Sequence, residues 1–216
     1  MPRKKLVRTN LCPYHVTARS NNQEWFAIPI NQVWQIFKHE LKMIQEKEEI
    51  IIYQFVLMSN HYHLLLSTPK SNLDIVMNRL QRRLAVQVNA LAGRTNHVFG
   101  GPYKWSLVKD QHYLSAVIRY IFQNPVRAGI SRTCQDYPLS SIWDSLHKTK
   151  ISGPATSLQT ILDFQTWKEL LIYINSEFTP IQSQAIKKGL QRKEFKLNRD
   201  RTNGNAINFS HHTTKK

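Results

Sequence analysis

The chain has 216 residues, with 30 Lys and Arg against 14 acidic residues and a formal net charge of +16. This length suits one domain with extensions and can bury a core, while the charge favours a polyanionic partner, nucleic acid ahead of a membrane surface. Two distant cysteines, Cys12 and Cys134, make no disulfide or metal framework, and neither a signal-peptide pattern after the basic Met1-Pro-Arg-Lys-Lys5 nor a membrane-length apolar run is present, so the expectation is a soluble cytoplasmic protein.

Residues 1–10 read as a basic, polar arm. Tyr14 to Arg19 alternates as a strand does, and Ser20-Asn21-Asn22 closes it with turn residues. Val33, Ile36, Phe37, Leu41 and Ile44 recur at helical spacing and predict a helix from about Asn31 to Lys47. Glu49 to Leu57 reads as a strand, and His61 to Ser67 follows a tight turn as the second arm of a hairpin. Asn72 is a candidate N-cap for a second long helix to about Leu91, with Leu73, Val76, Leu80 and Leu84 on its apolar face. After a loop from Gly93 to Gly101, Tyr103 to Val108 is a short strand, and Asp110 is placed to cap a third helix running to Gln123.

The order strand–helix–strand–strand–helix–strand predicts an α+β fold of the ferredoxin-like, split βαβ kind, with a central antiparallel sheet and helices on one face. Ile151 to Ser157 reads as a linker, and Leu158 to Phe178 has apolar residues at helical spacing that suit packing back on the domain. Residues 181–216 carry nine Lys or Arg against two acidic residues and turn Asn/Thr/His-rich after Arg201, a composition that favours disorder. The expected organisation is an arm over 1–10, one domain over 11–150, a helical extension over 151–180 and a basic, partly disordered tail over 181–216.

Chemistry concentrates at two places. His61 and His63 flank Tyr62 inside an apolar run, so on a strand both imidazoles share one face, a plausible half of a metal site. From spacing alone, two packing imidazoles are the commoner outcome. The second place is Arg119-Tyr-Ile-Phe-Gln-Asn-Pro-Val-Arg-Ala-Gly129. A tyrosine beside a metal in a basic protein suggests attack on a phosphodiester. Because phenols titrate near ~10, the phosphate must be polarised and the phenol held in line.

Met58-Ser-Asn-His-Tyr-His-Leu-Leu-Leu66 resembles the histidine–hydrophobic–histidine motif of the HUH nucleases, and Tyr120-Ile-Phe-Gln-Asn-Pro-Val-Arg-Ala-Gly129 the nucleophile helix of their single-tyrosine transposases. Tyr14-His-Val-Thr-Ala-Arg19 resembles the first strand of that family, and His97-Val-Phe-Gly-Gly101 with Tyr103-Lys104, then Tyr137-Pro-Leu-Ser-Ser141, fit it in order. Within that family the chain resembles the transposases associated with repetitive extragenic palindromes. The resemblance implies a single-stranded DNA endonuclease and strand transferase with a 5′-phosphotyrosine intermediate, acting at hairpin-flanked, repetitive palindromic sites. It implies Tyr120 as nucleophile, His61, His63 and Asn124 as ligands of Mg²⁺ or Mn²⁺, a monomer or homodimer, and a place at the nucleoid. Asn124 carries a tension of its own, because the residue before Pro125 is biased away from helical geometry. A polar helix end reads equally well there.

For DNA contact the sequence offers Arg79, Arg82 and Arg83 on the second helix, Arg94 after it, Lys104 beside an aromatic Trp105, and Arg19 and Arg127 inside matched motifs. A solvated charged face is the plain alternative for the first group, and a core position for Trp105. The family commonly has an arginine where Pro102 stands, which removes one expected phosphate contact. Tyr113, seven residues before Tyr120, is a rival nucleophile that reads as packing, and His15, His97 and His112 are read as structural. Two other functions stand beside this one: a nucleic-acid-binding protein without catalysis, and a hydrolytic metallonuclease in which Tyr120 is structural.

Overall fold

The computed structural model describes residues 5–147, 162–197 and 207. The linker expected at 151–157 lies outside the described residues, as does the stretch after Arg201 apart from Ile207. Four antiparallel strands, β1 (Tyr14–Arg19), β2 (Ile51–Leu57), β3 (His61–Ser67) and β4 (Lys104–Leu107), form one sheet in the order β2-β3-β1-β4. Helix α1 (Ile30–Glu48) joins β1 to β2 and α2 (Leu73–Ala92) joins β3 to β4. This is the α+β, split βαβ order expected from the sequence.

The alternation of β3 decides what each face of the sheet carries. Tyr62, Leu64 and Leu66 point one way, with Val16 opposite Leu64 on β1 and Phe55 opposite Leu64 on β2. Phe37 of α1 packs on this face against both Tyr62 and Phe55, with ring centroids 5.0 and 5.1 Å away. Helix α2 lies beside α1, tied to it by the ion pairs Arg79–Glu48 and Arg83–Glu40, and ends where Gly93 takes the left-handed conformation (φ +61°) that stops a helix.

His61, His63 and Leu65 point the other way, together with His15, Thr17 and Arg19 of β1. The expectation of helices on one face therefore describes the two crossover helices only. Gln54, Val56 and Leu65 of the second face are fully buried, and α3 (Gln111–Phe122) covers them. Its Ile118 carbonyl accepts a 2.9 Å hydrogen bond from Gln54 Nε2.

Behind α3 lie α6 (Trp167–Asn175) and α7 (Pro180–Gly189), each started by a threonine capping box, at Thr166 and Thr179. Between α3 and α6 run a short helix α4 (Asn124–Arg127) and, further on, α5 (Ser141–Leu146). Arg119 is buried on the back of α3, its guanidinium 3.8 Å from the Phe178 ring centroid and 2.7 Å from Ser176 Oγ. Gln123 Nε2 donates to the carbonyls of Ile174 and Ser176. The helix that carries Tyr120 is thus clamped between the sheet and the C-terminal helices.

Both edges of the sheet are covered, which removes templates for unwanted strand pairing. Along β2, Leu57 N–H donates to Leu139 O, Phe55 N–H to Ser141 Oγ, and Tyr137 Oη to Leu57 O. Along β4, Leu107 N–H donates to Lys193 O and Phe195 N–H to Leu107 O at 2.8 and 2.7 Å. Residues 181–197, the first part of the basic tail, are accordingly folded. Ile186 and Phe195 are buried, and Phe195 lies so close to Gly189 that a β-carbon there would meet its ring at 2.7 Å. Of the two readings of Trp105 the core one holds: it pairs with Val16 on the α1 face and packs edge-on against Tyr14.

Candidate active site

β3 and β1 bring three histidines onto one face, because Thr17 stands opposite His63 and Arg19 opposite His61 in the ladder. The His61 and His63 rings lie edge to face with centroids 5.1 Å apart. Asn60 sets the first of them. Its Nδ2 donates to Gln23 O at 2.7 Å, so its Oδ1, 2.7 Å from His61 Nδ1, must accept a proton from that nitrogen. The lone pair of His61 is then on Nε2. His63 is 8% exposed, and its Nδ1 lies 2.9 Å from Nε2 of His15.

Burial keeps all three imidazoles neutral, since charging them would strand an ion away from water. It pulls His15 down to about 3 and, with help from Arg19, His61 down to about 4. His63 is held well below its usual range by burial, then by His15, His61, Arg19 and Arg127. In the unfolded chain each would take a proton near ~6.5. Between that value and the folded one, the unfolded state binds more protons, so stability rises with pH. For the metal-free protein the expected result is a urea midpoint that drops from pH 7 to pH 5, with a slope of up to about 1.4 kcal/mol per pH unit for each histidine. A flat profile over that window would contradict the burial of these rings in neutral form.

Tyr120 lies in the last turn of α3, 6% exposed, with the Arg127 guanidinium 4.8 Å from its ring centroid. Arg127 is also close enough to His63 to oppose its protonation. The Tyr120 helix and the histidines lie on the same side of the sheet, since Gln54, which bonds to Ile118 of α3, faces that side. The Tyr120 hydroxyl bonds to no described residue and is not sealed from solvent. Tyr113, in contrast, packs edge-on against Phe195 at 5.3 Å. The side chain of His112 lies outside the described residues.

Pro125 does not end the helical path. Gln123 keeps helical angles, and Arg127 N–H donates to Gln123 O at 2.8 Å. Having no N–H, Pro125 leaves the Ile121 carbonyl without its usual donor, and Asn124 Nδ2 supplies one at 3.2 Å while also reaching Tyr120 O at 3.0 Å. Asn124 thus holds the helix end with its nitrogen and keeps Oδ1 for another partner. Tyr120, Asn124 and Arg127, four and three residues apart, share one side of the helix.

Among the described residues no group of three or more His, Cys, Asp or Glu is placed to hold a metal. Two neutral imidazoles and an amide oxygen are nonetheless a donor set that fits a weakly held divalent ion. The intramolecular partners on both Nδ1 atoms orient the rings as outer-shell groups do for metal-bound histidines.

The other basic residues divide by face. Lys104 pairs with Thr17 and so shares the histidine face with Arg19, whose Nη1 donates to Gln23 Oε1 at 3.0 Å. Arg79 and Arg83 are held by Glu48 and Glu40 on the α1 and α2 side of the sheet, next to Arg82, and are not brought to the histidines. Arg94 follows α2 by two residues, exposed. Sequence reasoning also passed over Trp25, which is 79% exposed on the loop that Asn60 ties down through Gln23 and that Phe26 N–H joins to Ser59 O. An exposed indole on the loop whose Gln23 side chain bonds Arg19 is a surface on which a base can stack. Only its place in a polar stretch, Asn21-Asn-Gln-Glu-Trp25, hinted at this.

The sequence profile of the family described as Transposase IS200 like matches residues 8–124, a span that contains His61, His63, Tyr120 and Asn124. Among solved structures, a REP-associated tyrosine transposase bound to a REP hairpin superposes with a TM-score of 0.59 at 14% identity, over 73% of this chain and 94% of that one. A candidate transposase of Deinococcus radiodurans R1 aligns at 15% identity over 56% of this chain and 95% of its own, with a TM-score of 0.39. No curated protein matches. At 14% identity the likeness to the first of these speaks for the fold.

Proposed function

Because the chain belongs to the IS200-like transposase family, we propose that it cuts and rejoins single-stranded DNA at hairpin-flanked sites, with Tyr120 as nucleophile and His61, His63 and Asn124 holding Mg²⁺ or Mn²⁺. The observation that carries this reading is that the helix bearing Tyr120 packs on the face of the sheet that presents His61 and His63, through the Gln54–Ile118 hydrogen bond. When bound, the ion supplies Lewis acidity to a non-bridging phosphate oxygen. Tyr120 Oη forms the new bond to phosphorus, the bond to the 3′ oxygen breaks, and that oxygen leaves as a hydroxyl once the phenol proton is handed on. The 5′ end stays on Tyr120. The phosphoester count is unchanged, so the 3′ hydroxyl can reverse the step without ATP. Arg127, Arg19 and Lys104 meet the charge of the phosphates on either side.

Rejection of duplex follows from the same geometry. In-line attack by a phenol fixed on a clamped helix needs a phosphate whose torsions can adjust, and a stacked duplex restricts them. The hairpin of the solved relative supports the same class of substrate here, worked on at the nucleoid by a cytoplasmic protein. The test uses matched labelled single strands, hairpin-bearing strands and duplexes with Mn²⁺. Cutting is expected on one strand only, and on the single-stranded forms. In the same assay Trp25→Ala should weaken single-strand binding by about 1–3 kcal/mol, the value of one stacked base. Cutting of both strands of plain duplex would reject the reading.

A further inference from the structure

The one histidine of the site face that the motifs leave unused is His15. It is 2% exposed on β1, and its ring meets that of His63 edge to edge, centroids 5.1 Å apart and planes 23° from parallel, with the Nε2···Nδ1 separation at 2.9 Å. The geometry points to His15 as a positioning residue that fixes His63 as the Nδ1–H tautomer and so leaves the His63 Nε2 lone pair for the divalent ion. The inference rests on the metal reading above and adds to it the group that prepares one of its ligands.

Two neutral imidazoles joined nitrogen to nitrogen share one proton, so one ring donates and the other accepts. If His15 carries its proton on Nδ1, its Nε2 accepts from His63 Nδ1–H, and His63 Nε2 keeps the lone pair that a metal needs. In the opposite arrangement His63 Nδ1 accepts, the His63 proton moves to Nε2, and that nitrogen cannot ligate. The neighbouring ligand is prepared by a different device, the amide of Asn60, whose orientation Gln23 dictates. The pair is thus set by one amide and one imidazole, each from outside the ligand set, as is common for histidines that bind metals.

Nitrogen NMR of the metal-free full chain reads the tautomer directly, and free Mn²⁺ measured by EPR without DNA reads affinity. In the wild type, His63 is expected with its proton on Nδ1. His15→Leu, which keeps the apolar contact and removes the acceptor, should lose the fixed tautomer and bind Mn²⁺ about tenfold more weakly or worse. His15→Gln, whose Oε1 can stand where Nε2 stood and accept the same hydrogen bond, should retain both properties. A wild-type His63 protonated on Nε2 would overturn the inference without any variant. So would a folded His15→Leu with wild-type Mn²⁺ affinity, and in both cases the metal reading survives. Absence of Mn²⁺ binding in the wild type would overturn the metal reading and this inference together.

Discussion

Tyr120→Phe should remove strand cleavage, by on the order of 10⁴-fold or more, while the protein stays folded and bound to DNA. The substitution deletes one oxygen. That oxygen makes no hydrogen bond to any described residue, so its loss should change stability by no more than about 0.5 kcal/mol. The ring, its burial and the Arg127 guanidinium at 4.8 Å remain. Wild-type protein should form an SDS-resistant adduct with the 5′ phosphate of the cut strand and leave a 3′ hydroxyl, and the variant should form none. Tyr113→Phe should keep full activity, because the contact of Tyr113 with Phe195 is made by the ring. Metal-dependent cutting that persists in Tyr120→Phe would reassign the chemistry to hydrolysis, and an adduct on Tyr113 would reassign the nucleophile.

His61→Ala and His63→Ala should each abolish metal-dependent cleavage, yet differ in what they do to the fold. His61 is half-buried, and among the described residues its side chain hydrogen-bonds only to its neighbour Asn60, so its removal should cost little stability. His63 is buried, and its loss leaves His15 Nε2 without its partner in a dry layer, a cost of about 1–3 kcal/mol. Urea unfolding of the two metal-free variants separates these effects, and a Mn²⁺ titration of cleavage reads the shared one. Full activity in either variant would remove that histidine from the ligand set. Equal destabilisation by both would contradict the unequal burial of the pair.

Periodicity made much of this molecule legible. The helix expected from Asn31 to Lys47 is Ile30–Glu48, and that expected from Asn72 to Leu91 is Leu73–Ala92, because their apolar stripes are long enough to mark both ends. The facing of His61 and His63 follows from a period of two. What was not legible depends on register and on distant packing. Nothing in Tyr14-His-Val-Thr-Ala-Arg19 says that His15 meets His63, since that requires the pairing of Thr17 with His63. Arg79 and Arg83 looked like free cations because their partners, Glu48 and Glu40, lie 31 and 43 residues away. The double duty of Asn124 escaped notice for a similar reason: a proline suggests a break, and only the side-chain amide at the Ile121 carbonyl shows how the helix passes it. The docking of 181–197 was likewise not legible, because its three buried apolar residues, Ala185, Ile186 and Phe195, are scattered among lysines.

The pairing of Leu107 with Lys193 and Phe195 has a consequence for how the chain is born. The sheet nearest the histidines has its β4 edge closed by a segment more than 80 residues later in the chain. Synthesis runs at about 5–20 residues per second, so the ribosome exposes β4 with its edge unpaired for several seconds before the closing segment emerges. Until residues 193–195 emerge no part of the same chain can close this edge, so the ladder beside β4 is the last of the sheet to form.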